Sequence, residues 1–146
     1  MNRLETIGKV LQLKETREEE IEYEVRALRN AVDVHRTRLG ILEKSYMEAL
    51  ETFTRKQREG RLAPHEMGIY YSYFFHLNKE MEAKKAEIAR ALSELDAGQG
   101  ALVAAHKETR VVESLKDRRS REHEKEDARL ERKEMDFISS TRRVGW

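Results

Sequence analysis

Pro64 is the only proline in the chain, and it lies between two long runs of sequence that are compatible with helix. Gly60 precedes it, and glycine readily adopts the left-handed conformation that closes a helix. Proline suits the first position of a helix, because its missing N–H is not needed there. The sequence therefore predicts helix 1 over about 3–58, a loop over 59–63, helix 2 over about 64–138 and a disordered tail over 139–146.

Both runs repeat apolar residues at alternating steps of three and four, which is the pattern of a coiled-coil seam. In helix 1 the repeat comprises Leu4, Ile7, Leu11, Ile21, Val25, Leu28, Val32, Leu39, Leu42, Tyr46, Ala49 and Phe53. In helix 2 it comprises Tyr70, Phe74, Leu77, Met81, Ile88, Ala91, Leu95, Leu102, Ala105 and Val112. Two seams joined by a short loop close on each other. The predicted fold class is all-α, a long antiparallel two-helix coiled-coil hairpin.

The hairpin leaves the end of helix 2 without a partner. If the chain folds back about its loop, residue i faces roughly residue 124 minus i, so Leu4 lies near Ser120. Helix 2 then continues as a single-helix C-terminal overhang, and 16 of the 21 residues from Lys116 to Asp136 are charged. A helix that is polar all round survives by charge pairing or by docking. We treat residues 1–138 as one hairpin domain that ends in this overhang.

Several seam positions depart from the apolar pattern. Lys14 and Glu18 occupy the seam of helix 1, and Gly98 and Gly100 interrupt helix 2 at a similar height. A glycine inside a helix costs about 1 kcal/mol relative to alanine. The hairpin is therefore predicted to be weakest here, by local fraying or at a hinge. His35, also on the seam, is interpreted as a polar notch that helps to set the register.

Composition excludes several function classes. With 29 basic and 28 acidic residues interspersed along the chain, no basic face is available for a nucleic acid. The chain has no cysteine and no apolar stretch long enough to enter a membrane, which favours a cytoplasmic protein. No catalytic, phosphate-binding or metal-binding motif is present, and a two-helix hairpin offers no enclosed pocket. We expect a non-enzyme without cofactors, and a monomer when free.

Half of the chain's ten aromatic residues lie between Ile69 and Leu77. If Tyr70, Phe74 and Leu77 face helix 1, then the other aromatic residues of this segment must lie on the flanks or outside. They are Tyr71, Tyr73 and Phe75. Exposed aromatic side chains with no core behind them are typical of partner surfaces. The cluster either closes the loop end of the hairpin, forms a docking patch, or does both.

Two segments resemble a known family. A Tyr-x-x-Tyr-Phe-x-x-Leu run starts at Tyr70, just past the turn, and the sequence Glu-Arg-Lys-Glu-Met-Asp occupies Glu131 to Asp136. Together with the hairpin pattern over nearly the full length, these segments resemble the flagellar export protein FliJ. The stalk proteins of type III injectisomes have a similar architecture, and they remain an alternative, as does a generic structural coiled coil.

The resemblance implies a non-catalytic stalk that couples a hexameric export ATPase to the export gate. It implies that the cytoplasmic domain of the gate binds at Tyr46, Leu50, Tyr73 and Leu77. The ATPase ring would bind the overhang, for which our candidates are Arg129, Arg132, Lys133, Met135 and Asp136. Export chaperones are further implied partners, and the implied location is the cytoplasmic face of the inner membrane, reached through the export apparatus.

Overall fold

A computed structural model describes residues 2–144, with side chains described up to Arg142. It contains α1 over Arg3–Arg58 and α2 over Pro64–Val144, and no strand occurs within residues 2–144. The two helices pack against each other, which confirms the predicted all-α helical hairpin. By its internal contacts the chain forms two compact units: a hairpin-end unit, Glu22–Ala101, and a terminal unit that contains the residues up to Ile21 and those from Leu102 onward. A single domain over 1–138 stays a prediction.

The ends of α1 follow the expected local chemistry. The Glu5 backbone N–H donates to the Asn2 side-chain oxygen at 2.8 Å, which caps the first turn. At the other end Gly60 has a φ of 69°, and the Arg61 N–H donates to the Lys56 carbonyl at 2.9 Å. The left-handed conformation of Gly60 allows this hydrogen bond from the residue that follows it. The bond gives a partner to a backbone carbonyl that would otherwise be unpaired at the end of α1. The predicted loop of 59–63 therefore matches the interval between the helices.

The end of α2 differs from the prediction. The sequence predicted a helix end near 138 and a disordered tail over 139–146, but α2 continues to Val144. No proline or glycine lies between Ile138 and Val144, and the Thr141 hydroxyl donates to the Phe137 carbonyl at 2.8 Å within the helix. The helix therefore has no reason to stop at the predicted position. The last two residues of the predicted tail lie outside the described residues.

Contacts within each unit give the register of the seam. In the hairpin-end unit the rings of Phe53 and Tyr70 lie 5.3 Å apart, and His35 lies beside Glu87. In the terminal unit Glu18 lies beside His106. The numbers of facing residues therefore sum to between 122 and 124, as the sequence predicted. With the middle value of 123, residue i of α1 faces residue 123 minus i of α2.

The core of the hairpin-end unit is a single apolar row. Its buried members are Val25, Val32, Phe53, Phe74, Leu77 and Ala91. Val25 is the most enclosed of them, with 1% of its surface exposed, and it faces Gly98. A Cβ atom built on Gly98 would lie only 3.3 Å from Cγ2 of Val25. Gly98 therefore gives Val25 the space to pack, and the seam is tight at this position.

A polar notch interrupts this row at His35, which is half-buried. Its Nδ1 atom lies 3.1 Å from Oε2 of Glu87, although the geometry does not make a hydrogen bond and leaves that nitrogen without one. The ammonium of Lys84 donates to the same carboxylate oxygen at 2.9 Å. This hydrogen bond is the main cause that lowers the pKa of Glu87.

The terminal unit is held by a smaller apolar core and by polar contacts. Its buried apolar side chains are Leu11, Ile21 and Ala105. Lys14 donates to Glu108 at 3.0 Å, and Glu18 Oε1 lies 2.7 Å from His106 Nδ1. The two polar seam residues of α1 therefore have partners on α2. The hydrogen bond to His106, followed by the nearby hydroxyl of Thr109, lowers the pKa of Glu18.

The two glycines of the predicted weak region are expected to behave differently on substitution. A Cβ atom added to Gly100 would meet nothing within 4 Å, so Gly100→Ala should raise the free energy of unfolding by about 1 kcal/mol through helix propensity. Gly98→Ala should raise the free energy of unfolding by at least about 0.5 kcal/mol less than Gly100→Ala does, because the added methyl group crowds Val25. Urea unfolding checks both variants. In a Val25→Ala background the difference should vanish, and its persistence would contradict the packing account.

The contact between Glu18 and His106 makes the stability of the protein depend on pH at pH values below the ordinary pKa of a glutamate side chain. Because its pKa is lowered from 4.5 by folding, Glu18 contributes stability that is complete above that pH and is lost as the pH falls through the folded-state pKa. Glu18→Gln should therefore lower the urea midpoint at pH 7, and its difference from wild type should shrink steadily below pH 4.5. Glu19→Gln, at an exposed position, is the control. A difference that is constant from about pH 7 to about pH 3 would contradict this assignment.

Candidate functional site

An aromatic cluster reinforces the hairpin-end unit close to its loop. Phe53 of α1 lies at its centre, with ring centroids 5.3 Å from Tyr70, 5.7 Å from Tyr71 and 5.8 Å from Phe74. Tyr46 lies two turns of α1 before Phe53 and packs against Phe74 at 5.1 Å. Tilted and edge-on aromatic pairs at such distances add about 0.5–1.5 kcal/mol each to the energy of burial. The cluster therefore closes this end of the hairpin, as one of the two interpretations predicted.

The same segment also presents apolar surface to solvent. Tyr71, Tyr73 and Phe75 are 56%, 42% and 64% exposed, which confirms that they lie outside the seam. Ile69 and Met47 are exposed in the same part of the hairpin, and the sequence pattern alone did not single these two out. Their positions in the heptad, outside the two seam positions of each helix, could have identified them. The hairpin end thus has both a packed aromatic core and an exposed apolar surface.

The four residues implied as the gate-binding set have different environments. Leu77 is 4% exposed and belongs to the core, whereas Tyr73 is accessible. Tyr46 and Leu50 are half-buried. In an antiparallel coiled coil the heptad assigns Leu50 and Tyr73 to opposite flanks of the seam. The structure therefore brings these residues to one height of the hairpin but does not gather them on one exposed face.

The overhang is exposed along its described length. Every residue from Arg121 to Arg142 is solvent-accessible, whereas Arg119 and Ser120 are still half-buried. The change occurs where the register predicted that α1 would run out of partner positions. The overhang is thus a free helix surface of the terminal unit.

All five ATPase-binding candidates lie on this exposed helix: Arg129, Arg132, Lys133, Met135 and Asp136. Met135 is 70% exposed, and the guanidinium of Arg129 donates to Glu126 at 2.6 Å. That bond raises the pKa of Arg129 and lowers the pKa of Glu126. It is a solvated pair within one helix and contributes little to stability.

The overhang also carries apolar side chains that the candidate set left out. Leu130, Phe137 and Ile138 are 48%, 73% and 51% exposed. Leu130 and Phe137 are seven residues apart, so they lie on the same side of α2, and Ile138 adjoins them. The heptad spacing was the signal that could have found them. This surface is amphipathic, although its composition is dominated by charge.

This chain matches a known protein family. The family model described as "Flagellar FliJ protein" matches residues 2–143, nearly the whole chain. The chain belongs to the FliJ family. No curated protein and no solved structure matches the chain.

Membership in the FliJ family makes this chain a protein of flagellar type III export, and the family is a structural component of the export apparatus. The family resemblance predicted from the aromatic run and the overhang sequence is therefore confirmed. Among the described residues, neither helix contains a segment that is both long and apolar enough to span a membrane.

Substitution by alanine is expected to affect the stability of the protein differently at buried and at exposed aromatic residues. Phe53→Ala removes a buried ring that contacts three others, and should lower the free energy of unfolding by about 3 kcal/mol. Phe75→Ala removes an exposed ring, and should change it by no more than about 0.5 kcal/mol. Thermal and urea unfolding followed by circular dichroism measure both. Equal losses would show that the exposed ring is part of the core.

Proposed function

We propose that this FliJ-family chain is a non-catalytic coupling stalk that links a hexameric export ATPase to the cytoplasmic domain of the export gate. The family match over residues 2–143 carries the proposal, because it assigns the chain to flagellar export. Two separate exposed surfaces support a role with more than one partner: the aromatic hairpin end and the overhang. In this role the chain acts at the cytoplasmic face of the inner membrane through the export apparatus, with export chaperones as further partners.

The hairpin end supports the gate-binding part of the proposal. Tyr73 offers an accessible aromatic ring, and accessible aromatic side chains dominate the energetics of protein interfaces. Tyr46 is half-buried at the seam, and Leu50 is half-buried on the flank opposite Tyr73, so the gate would contact both flanks of the hairpin at this height. Leu77 acts from the core, where it holds α2 in place beneath this surface. The aromatic packing around Phe53 keeps the surface rigid, which lowers the entropy cost of binding.

The overhang supports the ATPase-binding part of the proposal. It presents Arg132, Lys133 and Asp136 together with Met135, and α1 covers none of them. Helices that pair apolar anchors with charged flanks bind in grooves of partner proteins. The adjoining exposed side chains of Phe137 and Ile138 enlarge the apolar part of this surface. Because the overhang carries charges of both signs, complementary charges on the partner would favour one orientation of docking.

Binding of the gate is tested with single substitutions that leave the core intact. Tyr73→Ala should weaken binding of the purified cytoplasmic domain of the gate from the same organism by about tenfold or more. Phe75→Ala is the matched control, because Phe75 is also an exposed aromatic residue, makes no ring contact with the cluster around Phe53, and lies on a different side of α2 from Tyr73. Isothermal titration or biolayer interferometry gives both affinities. Equal affinity of wild type and Tyr73→Ala would remove Tyr73 from the gate-binding surface.

Binding of the ATPase is tested with a truncation after Ser120, which removes only exposed residues from the described part of α2. The truncated chain should lose retention of the ATPase and keep its affinity for the gate. The triple variant Arg132→Ala, Lys133→Ala, Met135→Ala should weaken ATPase binding by about tenfold, while the double variant Glu124→Ala, Lys125→Ala serves as control. Full ATPase binding by the truncated chain would overturn the assignment of the overhang.

A further inference from the structure

The terminal unit is built from weaker seam layers than the hairpin-end unit. In the register 123 minus i, four of its six layers contain a polar or charged side chain: Leu4 with Arg119, Ile7 with Lys116, Lys14 with Thr109, and Glu18 with Ala105. Only Leu11 with Val112 and Ile21 with Leu102 are apolar on both sides. In the hairpin-end unit most layers are apolar on both sides, and the aromatic cluster adds further burial.

Exposed polar contacts replace the missing apolar burial. The Lys14 and Glu108 side chains are 40% and 60% exposed. Water can therefore solvate both charges when the ion pair separates, at little cost in free energy. The Glu18 side chain is more enclosed, at 21% exposed, and lies 2.7 Å from His106. Segments with few buried apolar contacts and solvated polar ones open at lower free energy than the rest of a protein.

We propose that the terminal unit is a clasp, in which the residues of α1 up to Ile21 detach from α2 while the hairpin-end unit stays folded. The contact between Glu18 and His106 is its latch, because it is the most enclosed polar contact that joins the two helices in this unit. Opening exposes the face of α2 that carries Leu102, Ala105 and Val112 and that α1 otherwise covers. It thereby extends the unpaired part of α2 from Arg121 back towards Leu102. The clasp does not depend on the partners proposed above.

The chain offers a closely matched pair of reporters for this opening. It has no cysteine, so a single introduced thiol is the only one present. Ala105 in the terminal unit and Ala91 in the hairpin-end unit are both on the seam of α2, and each is 8% exposed. Ala105→Cys and Ala91→Cys are small changes at equally buried positions. The rate at which a thiol reagent labels each cysteine reports how often its layer opens.

Labelling is measured on the full chain at neutral pH in a series of low urea concentrations. The clasp predicts that the cysteine at 105 reacts about tenfold or more faster than the cysteine at 91, with a smaller dependence on urea. The Glu18→Gln substitution should accelerate labelling at 105 several-fold and leave labelling at 91 unchanged. Glu19→Gln, at an exposed neighbouring position, should affect neither.

Two results would overturn the proposal. Equal labelling rates with the same urea dependence would show that both units open only in global unfolding. Fast labelling of a Leu11→Cys variant, together with slow labelling at 105 equal to that at 91, would show simple fraying from the helix end. Ala105 faces Glu18 at the inner part of the unit, so gradual fraying does not reach it before the outer layers have opened.

Discussion

The register between the two seams is the constraint on which the other contacts depend. The turn at Gly60 fixes how α2 returns along α1, and each unit then pairs residue i with residue 123 minus i. A slip of one seam layer would take Val25 away from Gly98 and Glu18 away from His106. The first change would crowd a fully enclosed side chain, and the second would leave a half-buried carboxylate without its partner.

Pairing of large with small side chains reinforces this register. Val32 faces Ala91, Ala49 faces Phe74, and Val25 faces Gly98. Interdigitation of unequal side chains fills the narrow space between two helices without voids. Polar layers add specificity at some cost in stability, since a polar seam residue finds its partner in one register only. Apolar layers thus supply most of the stability of the hairpin, and the unequal and polar layers select the alignment.

The sequence predicted the fold because its strongest signals are local and repetitive. The steps of three and four specified the seam, and Gly60 with Pro64 specified the turn. The interpretation of Gly98 as a weak point was incomplete, because helix propensity does not reveal that a side chain on the other helix needs the space. The helix end near 138 was placed too early, because low hydrophobicity does not stop a helix that contains no breaker. The site was harder to predict, since exposure depends on which flank of the seam a residue occupies, as Leu77 and Tyr73 show.

Family membership and exposed surfaces lead to the central claim, that one chain binds two partners at the same time. The most direct measurement immobilises the cytoplasmic domain of the gate and asks whether the export ATPase is retained through this chain. We predict retention with the wild-type chain. We predict about tenfold less retention with an equimolar mixture of the Tyr73→Ala variant and the chain truncated after Ser120, since the variant binds the gate about tenfold more weakly and the truncated chain does not bind the ATPase. Retention by the mixture equal to that by the wild type, or failure of retention by the wild type when each binary complex forms, would contradict the two-partner claim.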